Sequence, residues 1–203
     1  MINRTNVRWL TQIALLAAIL LVLNYTPLGY LQVGPLAASL LTVPVAIGAI
    51  TMGPAAGALL GALFGATSFL QALQGKSVMG GALFAVSPAG YFVVSVIGRV
   101  LMGLCVGLIF AALQKALPKK EKLTCYIAAF FAPFLNTVFY MGLLVAIFYN
   151  SEFVQNLAAK KGATNPLMFI VLVVGVQAVI EWCVCCAVAG TITLPVRKYM
   201  KNN

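Results

Sequence analysis

Between Val7 and Val196 the chain runs in long apolar blocks, and almost no charge falls inside them. That pattern restricts the fold more than any other feature. Only 8% of the residues are charged, against about 25% in a soluble globular domain, so the chain lacks the polar surface needed to face water. In lipid, only helices and closed barrels satisfy every backbone N–H and C=O. Barrel strands alternate in polarity over roughly ten residues, whereas these blocks are apolar throughout. The expected class is an all-α integral membrane protein: a single domain, 1–203, of six transmembrane helices.

A span needs about 20 apolar residues, and turn-forming residues divide the chain into six. The expected spans are Val7–Tyr25, Leu36–Met52, Ala55–Leu73, Ala89–Leu113, Leu123–Tyr149 and Leu167–Val196. Thr26-Pro27-Leu28-Gly29 and Val33-Gly34-Pro35 mark the first loop, and Gly53-Pro54 breaks the second span from the third. A loop with Lys76 leads through Pro88 to the fourth. The basic segment Lys115–Lys122 precedes the fifth, and the polar segment Asn150–Pro166 precedes the sixth. The first span has the basic flank of a signal peptide, but no small-residue cleavage site follows and further spans do.

Orientation follows from the basic residues. With the N-terminus cytoplasmic, one side carries Arg4, Arg8, Lys115, Lys119, Lys120, Lys122, Arg197, Lys198 and Lys201, and the other only Lys76, Lys160 and Lys161. Both termini are therefore expected in the cytoplasm. The net charge of +10 belongs to these flanks and does not form a nucleic-acid-binding face.

Polar residues inside spans are costly, so function is sought there. Arg99 lies in the fourth span and Glu181 in the sixth. A helical rise of about 1.5 Å per residue places Arg99, Asn136 and Glu181 roughly 16, 20 and 21 Å below the outer ends of their spans. Three helices thus bring polar groups to a similar layer. Gln177 lies one turn outward of Glu181 on the same face. Two readings stand: an Arg99–Glu181 ion pair that only staples two helices, or an outward cavity in which Arg99 meets an anionic ligand. They are compatible, with Glu181 positioning Arg99.

Gly53, Gly57, Gly61 and Gly65 recur every four residues and give the third span a smooth face. Such a face packs closely against another helix, either within the bundle or on a partner protein. Ala14 and Ala18 share one face of the first span. Cys183, Cys185 and Cys186 include a Cys-x-x-Cys spacing, but they lie in an apolar helix and read as small packing residues. The chain has no His and no Asp, which removes a Ser-His-Asp triad, an aspartyl dyad and His-ligated metal. No metal or cofactor is expected, and an enzyme is not. With no P-loop present, active transport would draw on an ion gradient or a separate ATPase.

Several segments in order resemble the substrate-binding (S) components of energy-coupling factor (ECF) vitamin transporters. They are Gly29-Tyr30-Leu31, Leu41 through Ile50, Gly53 through Gly65, Ser87-Pro88, Ser95 through Arg99, Leu135-Asn136-Thr137, Glu181, and Thr193-Leu194-Pro195. The pattern is most like the pantothenate-type branch. It departs from that branch at Ser87-Pro88, where Asn-Pro is usual, at Gly98-Arg99, where Pro-Arg is usual, and at Gln177, where Asn is frequent.

The resemblance implies a prokaryotic plasma-membrane protein that binds a vitamin from outside, with pantothenate favoured. Its pocket would lie in the outer halves of spans four to six. It would then associate with a membrane coupling (T) subunit and two cytoplasmic ATPases and topple to release its ligand. Arg99 would pair with the ligand's anionic group, and Asn136 and Gln177 would supply hydrogen bonds. Glu181 would hold Arg99 in place. Tyr30, Gln32 and the 74–88 segment (Gln74, Lys76, Ser77) would close the cavity, and Ala14 and Ala18 would face the partner. Two other classes remain open: a self-sufficient ion-coupled carrier, for which Glu181 is the intramembrane acid but no inverted repeat is evident, and a non-transporting scaffold.

Overall fold

The computed structural model describes residues 4–26, 29–33 and 36–202, with side chains described at 7–26, at 29 and at 39–200. In chain order the elements are α1 (Arg4–Tyr25), β1 (Tyr30–Val33), β2 (Leu36–Ser39), α2 (Thr42–Met52), α3 (Pro54–Leu73), α4 (Val78–Val86), α5 (Pro88–Phe92), a π-helical turn (Val93–Ile97), α6 (Gly98–Ala116), α7 (Glu121–Phe148), α8 (Glu152–Lys161) and α9 (Pro166–Asn202).

Among the described residues, five helical stretches are long and apolar enough to cross a membrane: Val7–Tyr25, Pro54–Leu73, Pro88–Ala116, Glu121–Phe148 and Pro166–Met200. Their outward faces carry exposed apolar side chains such as Leu10, Leu15, Leu59, Leu108, Val171 and Val176, as a lipid-facing surface requires. The protein is a multi-pass membrane protein.

The expected second span, Leu36–Met52, needs correction. Its first residues form strand β2, which pairs antiparallel with β1 from Tyr30↔Ser39 to Val33↔Leu36. Only Thr42–Met52 is helical, a length of about 16 Å by the α-helical rise. A short apolar run does not by itself distinguish strand from helix, and Leu36 through Leu41 is such a run. All nine residues from Thr42 to Ile50 are buried, because α1, α3, α6, α7 and α9 surround α2. A helix apolar on every side belongs in such a place. The main core gathers around it, with Leu20, Val45, Ile50, Leu60, Met102, Val106, Ala129 and Cys185 in contact. Cys185 thus packs as a small apolar residue.

The glycine stripe is an internal packing device. A Cβ on Gly57 would strike the Gly103 carbonyl, one on Gly61 the Arg99 carbonyl, and one on Gly65 the Ser95 carbonyl at 2.6 Å. In return Gly103 meets the Gly57 backbone, and Gly107 meets Pro54. This face of α3 is therefore covered by α6 and the π-turn, so it is not a surface for a partner. Gly53 is not part of the stripe. Its φ of 95° makes the turn between α2 and α3, a conformation that favours glycine, and Pro54 then opens α3.

Two helices occupy segments expected to be loops. Ser77 caps α4 by accepting from Gly80 N–H at 3.1 Å, and Ser151 caps α8 by accepting from Val154 N–H at 3.4 Å. Gly162, with φ of 70°, ends α8 in the left-handed conformation. A second cluster at this end joins Leu83, Tyr91, Leu144, Phe148, Val154 and Phe169. The opposite end is fastened by Arg197. It bonds Glu121 Oε1 at 2.9 Å, the Ile50 carbonyl at 2.8 Å and Gln114 Oε1 at 2.7 Å, and lies 4.5 Å over the Phe110 ring. One guanidinium thus links α2, α6, α7 and α9.

Candidate functional site

A cavity of about 320 Å³ opens between α3, α6, α7, α9 and the end of the hairpin. Helical spacing supplies its walls. On α7, Asn136 with Tyr140, and Thr137 with Met141, are i, i+4 pairs. On α9, Val174, Gln177, Ala178 and Glu181 form one stripe. Phe64 and Ser68 enter from α3, Arg99 from α6, Ser39 and Leu41 from the hairpin's exit, and Ser77 and Met79 from the start of α4.

Arg99 follows directly on the π-turn. Gly98 N–H, just before it, reaches back to the Val93 carbonyl, a five-residue step that accommodates an extra residue and is frequent at functional sites. Arg99 Nη1 donates to the Ser95 carbonyl at 2.8 Å. Its guanidinium carbon lies 4.4 Å from the Phe64 ring centre and 4.9 Å from that of Tyr140. Each desolvated cation–π contact contributes up to about 2 kcal/mol, which offsets part of the expense of holding a cation at this depth. The glycine stripe makes the arrangement possible, because Gly61 lets the α6 backbone come close enough for Arg99 to reach Phe64.

Glu181 is 7% exposed. Its Oε1 accepts from Ser39 N–H at 2.8 Å and from Gln177 Nε2 at 3.1 Å. Glu181 lies about 22 Å below the start of α9 by helical rise, so Ser39 brings extended backbone to the same depth. Irregular backbone is tolerated there only where protein satisfies it, and Glu181 does so for Ser39. Among the described residues Arg99 and Glu181 are not within salt-bridge distance. Ser95, Phe64 and Tyr140 contact the Arg99 guanidinium directly, and Glu181 bonds the hairpin at Ser39.

The four intramembrane residues singled out from the sequence, Arg99, Asn136, Gln177 and Glu181, line this one cavity. Ser77 also reaches it, whereas Gln74 and Lys76 do not, and Lys76 Nζ lies 5.8 Å from the centre of the Tyr25 ring instead. Tyr30 and Gln32 fall on β1, and their side chains lie outside the described residues. Ala14 and Ala18 are exposed on α1, which packs against α2 and α3. Sequence reasoning missed Phe64, Ser68, Ser39 and Tyr140. A signal existed for two of them: Tyr140 is one turn from Asn136, and Phe64 is three residues beyond Gly61.

A family model described as "ECF transporter, substrate-specific component" matches residues 8–193. No curated protein matches the chain.

Proposed function

Because the chain belongs to the substrate-specific components of ECF transporters, we propose that its cavity binds a small vitamin or vitamin precursor, with pantothenate favoured, for import powered by separate ATPases. The observation that carries this reading is the convergence of Arg99, Asn136, Gln177 and Glu181, from three helices, on one cavity. A guanidinium presents a fork of donors matched to a carboxylate, and Asn136 and Gln177 add amide groups. A cavity of about 320 Å³ is at the small end of ligand pockets, roughly 300–1,000 Å³. That size suits compact pantothenate better than folate.

In this reading the protein is not an enzyme and spans a prokaryotic plasma membrane with both termini cytoplasmic. The hairpin and α2 together make the sixth crossing. The cavity faces outward and the Arg197 cluster closes the cytoplasmic end. Ala14 and Ala18 on α1 meet the membrane coupling subunit, which links the chain to two ATPases. The test is uptake of labelled pantothenate into proteoliposomes with and without the coupling subunit and ATPases. Uptake that requires ATP and all partners is expected. Uptake by the chain alone from an ion gradient would identify a secondary carrier, and absence of ligand binding would leave a scaffold.

A further inference from the structure

Two acceptors on the cavity wall are left open by the protein itself. Both hydrogen bonds that Glu181 accepts fall on Oε1, and among the described residues none falls on Oε2. On the neighbouring helix α7, Asn136 Oδ1 is buried without a hydrogen-bond partner. Both residues line the cavity. A carboxylate only accepts and a guanidinium only donates, so α7 and α9 ask the ligand for donors where α6 asks for an acceptor. Arg99 and Glu181 are not within salt-bridge distance, so different groups of one ligand can meet the two demands in one cavity. A ligand that displaces water from this wall without supplying donors leaves buried acceptors unsatisfied, and affinity is lost.

Building on the reading of the cavity as the ligand site, we propose that Glu181 and Asn136 read a hydrogen-bond donor on the ligand. The site then selects molecules that pair an anionic group with a hydroxyl donor. Glu181 is a specificity-determining residue: Oε1 ties down Ser39 and Gln177, and Oε2 meets the ligand. A carboxylate whose remainder is purely apolar is a poor ligand, however well it suits Arg99. Sites built to bond a substrate's polar group reject analogues that lack it far more strongly than apolar pockets discriminate by size. Pantothenate carries both features, a carboxylate at one end and hydroxyls at the other.

The test is calorimetric titration of the purified full chain with pantothenate and with its analogue in which both hydroxyls are replaced by hydrogen. Glu181→Gln keeps the Oε1 acceptor for Ser39 and replaces Oε2 with a donor. It is expected to weaken pantothenate binding by about 10- to 100-fold, the loss of a hydrogen bond to a charged group, while leaving the analogue within about 3-fold. Asn136→Ala is expected to show the same selectivity, and supplies the test if Glu181→Gln does not fold. Equal weakening of both ligands in a folded variant, or no weakening of either, overturns the proposal. Wild-type protein that binds no pantothenate overturns the ligand reading beneath it.

Discussion

Gly61 of α3 faces the carbonyl oxygen of Arg99 on α6 so closely that a Cβ would overlap it. The contact joins two features that look unrelated in the sequence, the small-residue stripe and the intramembrane cation. Because the backbones touch at Gly61, the Arg99 guanidinium reaches Phe64, one turn further along α3, at 4.4 Å.

Gly61→Ala should therefore act on both stability and binding. Overpacking at this contact is expected to destabilise by about 1–3 kcal/mol, and displacement of α6 should weaken ligand binding as Arg99 moves. Gly142→Ala is the control, because a Cβ there meets nothing within 4 Å. A helix-interior Gly→Ala at an open site gains about 0.5–1 kcal/mol. Thermal unfolding in detergent and ligand titration of both variants check the contrast.

Much of this arrangement was legible in the sequence, and the exceptions have physical causes. Charge poverty located the five long apolar stretches, Val7–Tyr25, Pro54–Leu73, Pro88–Ala116, Glu121–Phe148 and Pro166–Met200, to within a few residues, because lipid leaves few alternatives. Helical rise placed Arg99, Asn136 and Glu181 at one level, and the cavity joins them. The hairpin was not legible, since Leu36 through Leu41 is equally apolar as strand or helix, and the Glu181–Ser39 bond that fixes it spans 142 positions. Arg197 looked like one more positive-inside residue, because its partners Glu121, Gln114 and Ile50 come from three other elements. The cavity also reaches beyond the expected spans four to six, as α3 supplies Phe64 and Ser68 to it.

Arg197→Ala should loosen the end of the bundle opposite the hairpin. It removes three hydrogen bonds, including one to the Glu121 carboxylate. With Arg197 and Glu121 side chains 14% and 33% exposed, the ion pair itself is partly screened, and an overall loss of about 1–3 kcal/mol is expected. Arg197→Lys should restore only part of it, because a single ammonium lacks the planar fork that reaches three acceptors. Midpoints of thermal unfolding for the three proteins measure this directly.

Ala14→Leu and Ala18→Leu should separate binding from transport. Both positions are exposed on α1 and neither lines the cavity, so folding and ligand affinity should stay near wild type. Small residues at a helix surface permit close approach of a partner helix, and leucine removes that fit. ATP-dependent uptake by the reconstituted transporter should fall by about tenfold or more, the effect of losing some 1.4 kcal/mol of association. Unchanged uptake would place the docking surface elsewhere.

Titration of wild-type and Arg99→Ala protein with pantothenate tests the central claim most directly, with thermal unfolding confirming that the variant is folded. Removing one partner of a buried charge-assisted contact should weaken binding by about 100-fold or more. A folded Arg99→Ala protein that binds pantothenate as tightly as wild type would contradict the claim that Arg99 holds the ligand's anionic group.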